Sequence, residues 1–386
     1  MRVILLASVT VALGLSGCGI FKSKSKDNVA EPTELVDLKS ESVTFSRVWS
    51  TSLSGDKAER GERLGPIVIG ERIYAAGTDG EVRALDAVTG KQIWQRELEV
   101  RWSGGVGADQ KRVVMGGLDG EVAALDATDG ELLWQIQVSS EVLAAPAVTE
   151  KVVVLRSNDG RVHGLAVADG KVLWVVDRSV PLLTVRGAAA PVVVGDVAYV
   201  PADNGKLTAI NVADGKVLWE KAFSTPDGRN ELERLSDIDG QVQVLDGDLF
   251  LSGYNGQTLA VTAQTGETLW TFKAPSAVGV AVAKNKVLVT DSESHVIALD
   301  RRTGAQLWRQ DGLLNRLASA PALFGDYLVV GDLEGYLHAI NLEDGALVGR
   351  TRLDKLPFPR APVMANEMVY AQSASGDLAA YRLTTR

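Results

Sequence analysis

Gly120-Glu-Val-Ala-Ala-Leu-Asp-Ala-Thr-Asp-Gly-Glu-Leu-Leu-Trp134 decides how the whole chain is read, because it keeps returning. It recurs at 80–94 (GEVRALDAVTGKQIW), 160–174 (GRVHGLAVADGKVLW), 205–219 (GKLTAINVADGKVLW) and 256–270 (GQTLAVTAQTGETLW). Weaker copies lie at 294–308 (SHVIALDRRTGAQLW) and 335–349 (GYLHAINLEDGALVG), the last with Gly349 in the tryptophan slot. Self-similarity with a period of roughly 40 residues marks a propeller, solenoid or array.

Within the unit, Val122, Ala124 and Asp126 alternate with Ala123, Leu125 and Ala127, the period of two that a strand requires. A turn at Asp129-Gly130 leads into a second strand ending near Trp134. The pair before each copy (Asp79-Gly80, Asp119-Gly120, Asp159-Gly160, Asn204-Gly205, Asn255-Gly256) predicts a two-residue type I′ hairpin. Two further short apolar runs, such as 145–148 and 152–155, lie upstream. Four strands per repeat is the content of a propeller blade, and no copy carries the i, i+3, i+4, i+7 pattern of a helix. The slot recurs at seven positions, 94 to 349, six of them tryptophan, which marks seven fourth strands. An eighth copy begins at Gly376 and lacks its last strand, while residues 43–53 (VTFSRVWSTSL) carry Trp49 in the matching place. The chain is therefore expected to be all-β: a single eight-bladed propeller of four-stranded antiparallel blades over 43–386. Its N-terminal strand closes the last blade and removes an open sheet edge. The repeated tryptophan is read as packing between blades, its N–H finding a partner there.

Residues 1–17 read as a lipoprotein signal peptide. Arg2 precedes an apolar run, 3–15, too short to span a bilayer, and Leu15-Ser16-Gly17-Cys18 matches the lipobox. The small residues fit a narrow peptidase site, and the Cys18 thiol is the nucleophile that takes up the lipid. Cys18 is the only cysteine, so no intrachain disulfide exists. Residues 18–42, with Lys22-Ser-Lys-Ser-Lys26, read as a lipidated flexible tether. Gly19 is not the aspartate that retains lipoproteins at the inner membrane, which predicts the outer membrane, periplasmic face.

Formal net charge is −9, or −10 once Arg2 is removed, which excludes a nucleic-acid footprint. No phosphate loop, HExxH motif or Cys-x-x-Cys pair is present; no metal site, cofactor or catalytic residue is expected. Gly104-Gly105 and Gly116-Gly117 are weak as cofactor signals. His163 and His338 share one register of the repeat and read as structural, as does His295, placed in a strand.

The spacing of the slot is 40 residues from Trp94 to Trp134 and again to Trp174, then 45 to Trp219 and 51 to Trp270. Both additions follow the fourth strand of a blade, at 177–187 and 224–239, so they leave the same face on consecutive blades. The first carries Leu182, Leu183, Val185 and Arg186; the second carries Glu233, Arg234, Asp237 and Asp239. Apolar anchors rimmed by charge suit a protein partner. These charges lie in loops the repeat does not need, so their loss is expected to spare the core.

The lipobox, the A-L/I-D/N-x-x-x-G-x-x-L-W blades, and the LTVRG and LSDID loops together resemble the BamB family of outer-membrane assembly lipoproteins, over the whole chain. The resemblance implies a non-enzymatic scaffold of the barrel-assembly (BAM) complex that binds the periplasmic POTRA domains of BamA. Carried onto this sequence, it makes Leu183, Val185, Arg186, Asp237 and Asp239 the partner-binding residues. The family often has leucine where Val185 stands. Unfolded outer-membrane proteins, adding strands to free blade edges, form a second partner class. Two rival readings share the blade motif: a quinoprotein dehydrogenase using pyrroloquinoline quinone, and a lipoprotein propeller that binds another peptide or a glycan. The first usually needs adjacent cysteines and a calcium site, and this chain offers neither signal.

Overall fold

The computed structural model describes residues 30–38, 41–58, 62–178, 189–223, 237–238, 240–254 and 256–385. Eight antiparallel sheets of four strands succeed one another around a ring. Seven are continuous: blades 1 to 7 span 67–97, 107–137, 147–176, 192–222, 243–272, 280–310 and 322–352. Blade 8 takes three strands from 363–385 and its outermost from Val43–Ser52, as expected. That strand pairs from Val43↔Thr385 to Ser52↔Asp377 with one bulge, which places Trp49 opposite Ala380.

The repeat motif encodes a directional lock. In blades 1 to 6 each slot tryptophan stands opposite a small residue of the third strand (Ala84, Ala124, Gly164, Ala209, Ala260 or Ala298), which leaves room for the indole. Its N–H then donates to the next blade, at the turn between third and fourth strands. The seven bonds are Trp49→Ala87, Trp94→Ala127, Trp134→Val167, Trp174→Val212, Trp219→Ala263, Trp270→Arg301 and Trp308→Leu342, all 2.8–3.1 Å. The acceptor in every case follows the D/N position of the motif. Where that position is Asp or Asn, the side chain folds the turn: Asp126 Oδ1 accepts from Thr128 N at 2.7 Å, and Asp86 Oδ1 from Thr89 N and Oγ1. Gly130 completes the dock. Its φ is +76°, and a Cβ there would lie 2.6 Å from the Trp94 ring.

The one glycine in the slot follows from topology. Blade 8 has no turn between its third and fourth strands, because that is where the two chain ends meet. A Cβ on Gly349 would run into the Val43 carbonyl at the start of the closing strand. The missing tryptophan marks the seam.

Two local expectations change. The Asp-Gly pairs are not type I′ turns, since Asp79, Asp119, Asp159 and Asn204 do not have positive φ and only the glycines do. Gly117 pairs with Glu121, and Gly120 N reaches Gly117 O at 3.3 Å, so the loop has three residues and ends on a left-handed glycine. Turns with two left-handed residues do occur, at Asp246-Gly247 and Asn366-Glu367, between first and second strands. His295 precedes its strand, Val296–Asp300, by one residue.

Part of the expected tether is held against the ring. Thr33 N donates to Leu314 O at 3.0 Å and Thr33 O accepts from Arg316; Val36 O accepts from Arg350 at 2.7 Å. Leu35 packs on a cluster containing Leu313, Leu328 and Ile340. The strap starts at the blade 6–7 connection and descends blade 7 to the closing strand.

Trp134→Ala is expected to lower stability by ~3–5 kcal/mol in urea denaturation, removing a buried aromatic and its hydrogen bond. Gly349→Trp, which restores the motif, should also destabilise because Val43 occupies the space. A variant as stable as the parent would refute this account of the seam.

Candidate functional site

Both insertions are rooted on one strand end. The first leaves blade 3 after Val172–Val176, and its second residue, Arg178, turns inward. Arg178 Nη2 donates to Val200 O at 2.9 Å and to Thr208 Oγ1, and Nη1 lies 3.5 Å from Pro201 O. The second insertion leaves blade 4 after Val217–Ala222 and returns at Asp237-Ile238. Ile238 N donates to Ala202 O at 3.3 Å, and its side chain packs with Tyr199, Leu207, Leu249 and Leu251. Val200, Pro201 and Ala202, at the end of blade 4's second strand, thus hold both roots.

A buried ion pair stiffens this strand end. Arg156, ending blade 3's second strand, pairs with Asp203 beyond Ala202, and the side chains are only 4% and 6% exposed. Arg156 Nη1 also donates to Pro201 O at 3.3 Å. Burial, aided by the like charge of Arg156, pushes the Arg178 guanidinium down to about 10, so it remains charged at neutral pH. Glu220, bonded to Lys206 at 2.7 Å, is held below the usual carboxylate range by that bond. Arg156, Asp203, Arg178 and Glu220 form one charged cluster that joins blades 3 and 4 at the roots of the insertions.

Of the residues expected to bind a partner, Asp237 lies among those described. It is 1% exposed, and its carbonyl accepts from Tyr254 N at 2.9 Å. The expectation that its loss would spare the core fails, since its surroundings are those of a core residue. Leu183, Val185, Arg186 and Asp239, like Leu182, Glu233, Arg234 and the lipobox Cys18, lie outside the described residues. Sequence reasoning missed Arg156, Arg178 and Asp203. The signal available was a charged residue directly after or ending an apolar strand, where the repeat elsewhere varies freely.

The histidines are structural. His163 Nε2 lies 3.0 Å from Ser157 Oγ, His338 Nε2 is 3.1 Å from Asp332 Oδ2, and His295 Nδ1 is 2.7 Å from Asp291 Oδ2. Burial lowers the pKa of His163 and His338. Among the described residues no group of three or more His, Cys, Asp or Glu is gathered as a metal would require.

A closed ring of eight blades locked by repeated tryptophans defines a tryptophan-docked propeller. Residues 78–310 and 292–386 match the family described as outer membrane protein assembly factor BamB. The chain belongs to that family. It is 44% identical over 377 residues to the BamB of Pseudomonas aeruginosa, covering 98% of each chain. The crystal structure of BamB from Moraxella catarrhalis superposes with a TM-score of 0.80 at 27% identity, over 88% of this chain and 99% of that one. The quinohemoprotein alcohol dehydrogenase of Comamonas testosteroni gives 0.67 at 14% identity, over 88% of this chain and 76% of that one, a likeness of fold alone. The chain is accordingly a non-enzymatic outer-membrane protein assembly factor, and the dehydrogenase reading is set aside.

Asp203→Ala strands the buried Arg156 charge and should lower unfolding free energy by about 3–5 kcal/mol in urea titration. Asp203→Leu combined with Arg156→Met should recover most of it. If the single variant loses less than the double, the pair does not stiffen the strand end.

Proposed function

We propose that this protein is a lipid-anchored scaffold of the BAM complex, binding the POTRA domains of BamA through the two insertions and aiding barrel insertion. The observation that carries the reading is the shared root at Val200–Ala202, which ties both insertions to one rigid strand end. Side chains held on a rigid base lose less freedom on binding, so more of each contact appears as affinity. Leu183 and Val185 supply apolar anchors, Arg186 and Asp239 the charges around them, and Asp237 the fixed end of the second insertion.

Acylation at Cys18 holds the protein to the periplasmic face of the outer membrane. Several acyl chains, at ~0.8 kcal/mol per buried CH₂, anchor firmly where one chain is marginal. The strap starts at Thr33, on the same face as the insertions. Residues 18–31, even fully extended, reach about 50 Å, which bounds how far Thr33 can lie from the bilayer.

Cys18→Ser should fold and should lose incorporation of radiolabelled fatty acid; continued labelling rules out the lipobox reading. Arg186→Ala should weaken capture of BamA from envelopes by ~2 kcal/mol or more, with the thermal midpoint unchanged. Asp237→Ala should lower both capture and thermal midpoint. Full recovery of BamA after replacing Leu183, Val185 and Arg186 together moves the interface elsewhere on the ring.

A further inference from the structure

The inner strands of the blades surround a central channel, and the residues just before each inner strand form its mouth on the insertion face. Arg63 precedes the inner strand of blade 1, and its Nη2 lies 3.5 Å from the carbonyl of Ala277, which precedes blade 6. Blades 1 and 6 are not neighbours, so this approach crosses the channel mouth. Arg360 precedes the inner strand of blade 8, Val363–Ala365. Its side chain passes over Gly65 of blade 1 and ends at Gly105 of blade 2. A Cβ on Gly65 would lie 2.8 Å from Arg360 Cδ, and one on Gly105 would collide with Nη1. The Gly104-Gly105 doublet thus has a physical reason. A Cβ on Gly104 would lie 2.8 Å from the carbonyls of Val142 and Ala144, and Gly105 leaves the lane in which the guanidinium lies.

Among the described residues, Arg360 makes no hydrogen bond or ion pair. It is partly exposed, so solvent in the channel reaches it. The geometry points to an oxyanion site at the mouth of the channel, in which Arg360 takes a carboxylate or phosphate group. A planar guanidinium offers paired donors that match either group, and no side chain among the described residues competes for those of Arg360. Burial and the neighbouring Arg63 push the Arg360 pKa down to about 10, so it remains charged at neutral pH. The anion has two sources, a free small molecule or the terminal carboxylate of a peptide, and the test separates them.

Thermal midpoints of the purified full chain would be followed at constant ionic strength in chloride against three probes. These are inorganic phosphate, acetate, and a short neutral peptide with a free C-terminal carboxylate, compared with its amide. A saturable rise is expected, roughly 3 °C at a hundredfold excess over Kd. Arg360→Met, which keeps length and removes charge, should weaken binding about tenfold to a hundredfold. Gly105→Ala, which displaces the guanidinium while keeping its charge, should do the same. A rise with phosphate or acetate assigns a free anion; a rise with the acid peptide but not its amide assigns a chain terminus. No saturable rise with any probe, or equal rises in parent and Arg360→Met, overturns the site.

Discussion

The ring depends on one interaction made seven times, an indole N–H donated to the turn of the following blade. It combines burial of a large aromatic surface with a satisfied hydrogen bond, which Trp provides at once. The rest of the motif serves it. A small residue opposite the indole makes the space, an Asp or Asn folds the receiving turn, and a left-handed glycine lets the ring lie flat against the backbone. Because every lock points the same way round, blades 1 to 6 both donate and receive, blade 7 only receives, and blade 8 donates through the tryptophan of the closing strand, Trp49.

That uniform ring gives meaning to departures from it. The lengthened connections after blades 3 and 4 are free to serve binding because the locks do not pass through them. They are nonetheless not loose at their bases. Arg178 and Ile238 fasten them to blade 4, and the Arg156–Asp203 pair fixes the strand end that receives them. An assembly factor gains from this arrangement, since long connections can serve a partner while the framework stays constant.

Blade number, closure and the placement of both insertions were legible in the sequence because each follows from a repeated local pattern. Turn type was not, because Asp119-Gly120 looks the same whether two or three residues bridge the strands, and only the register decides. The burial of Asp237 was hidden for another reason. Its position in a long insertion suggested exposure, yet the return of the chain brings it against the Tyr254 hairpin. Arg360 was invisible as well, since its meeting with Gly105 joins blades 8 and 2 through ring curvature that no local window contains.

The strap that begins at Thr33 has a mechanical consequence. A load entering from the amino-terminal side would, without it, reach the closing strand at Val43 and unzip that strand from Thr385 one pair at a time. With Thr33 tied to Leu314 and Arg316, and Val36 tied to Arg350, tension passes first into blades 6 and 7, whose strands are covalently continuous. The strap acts as strain relief, keeping the ring's only non-covalent closure out of the line of force.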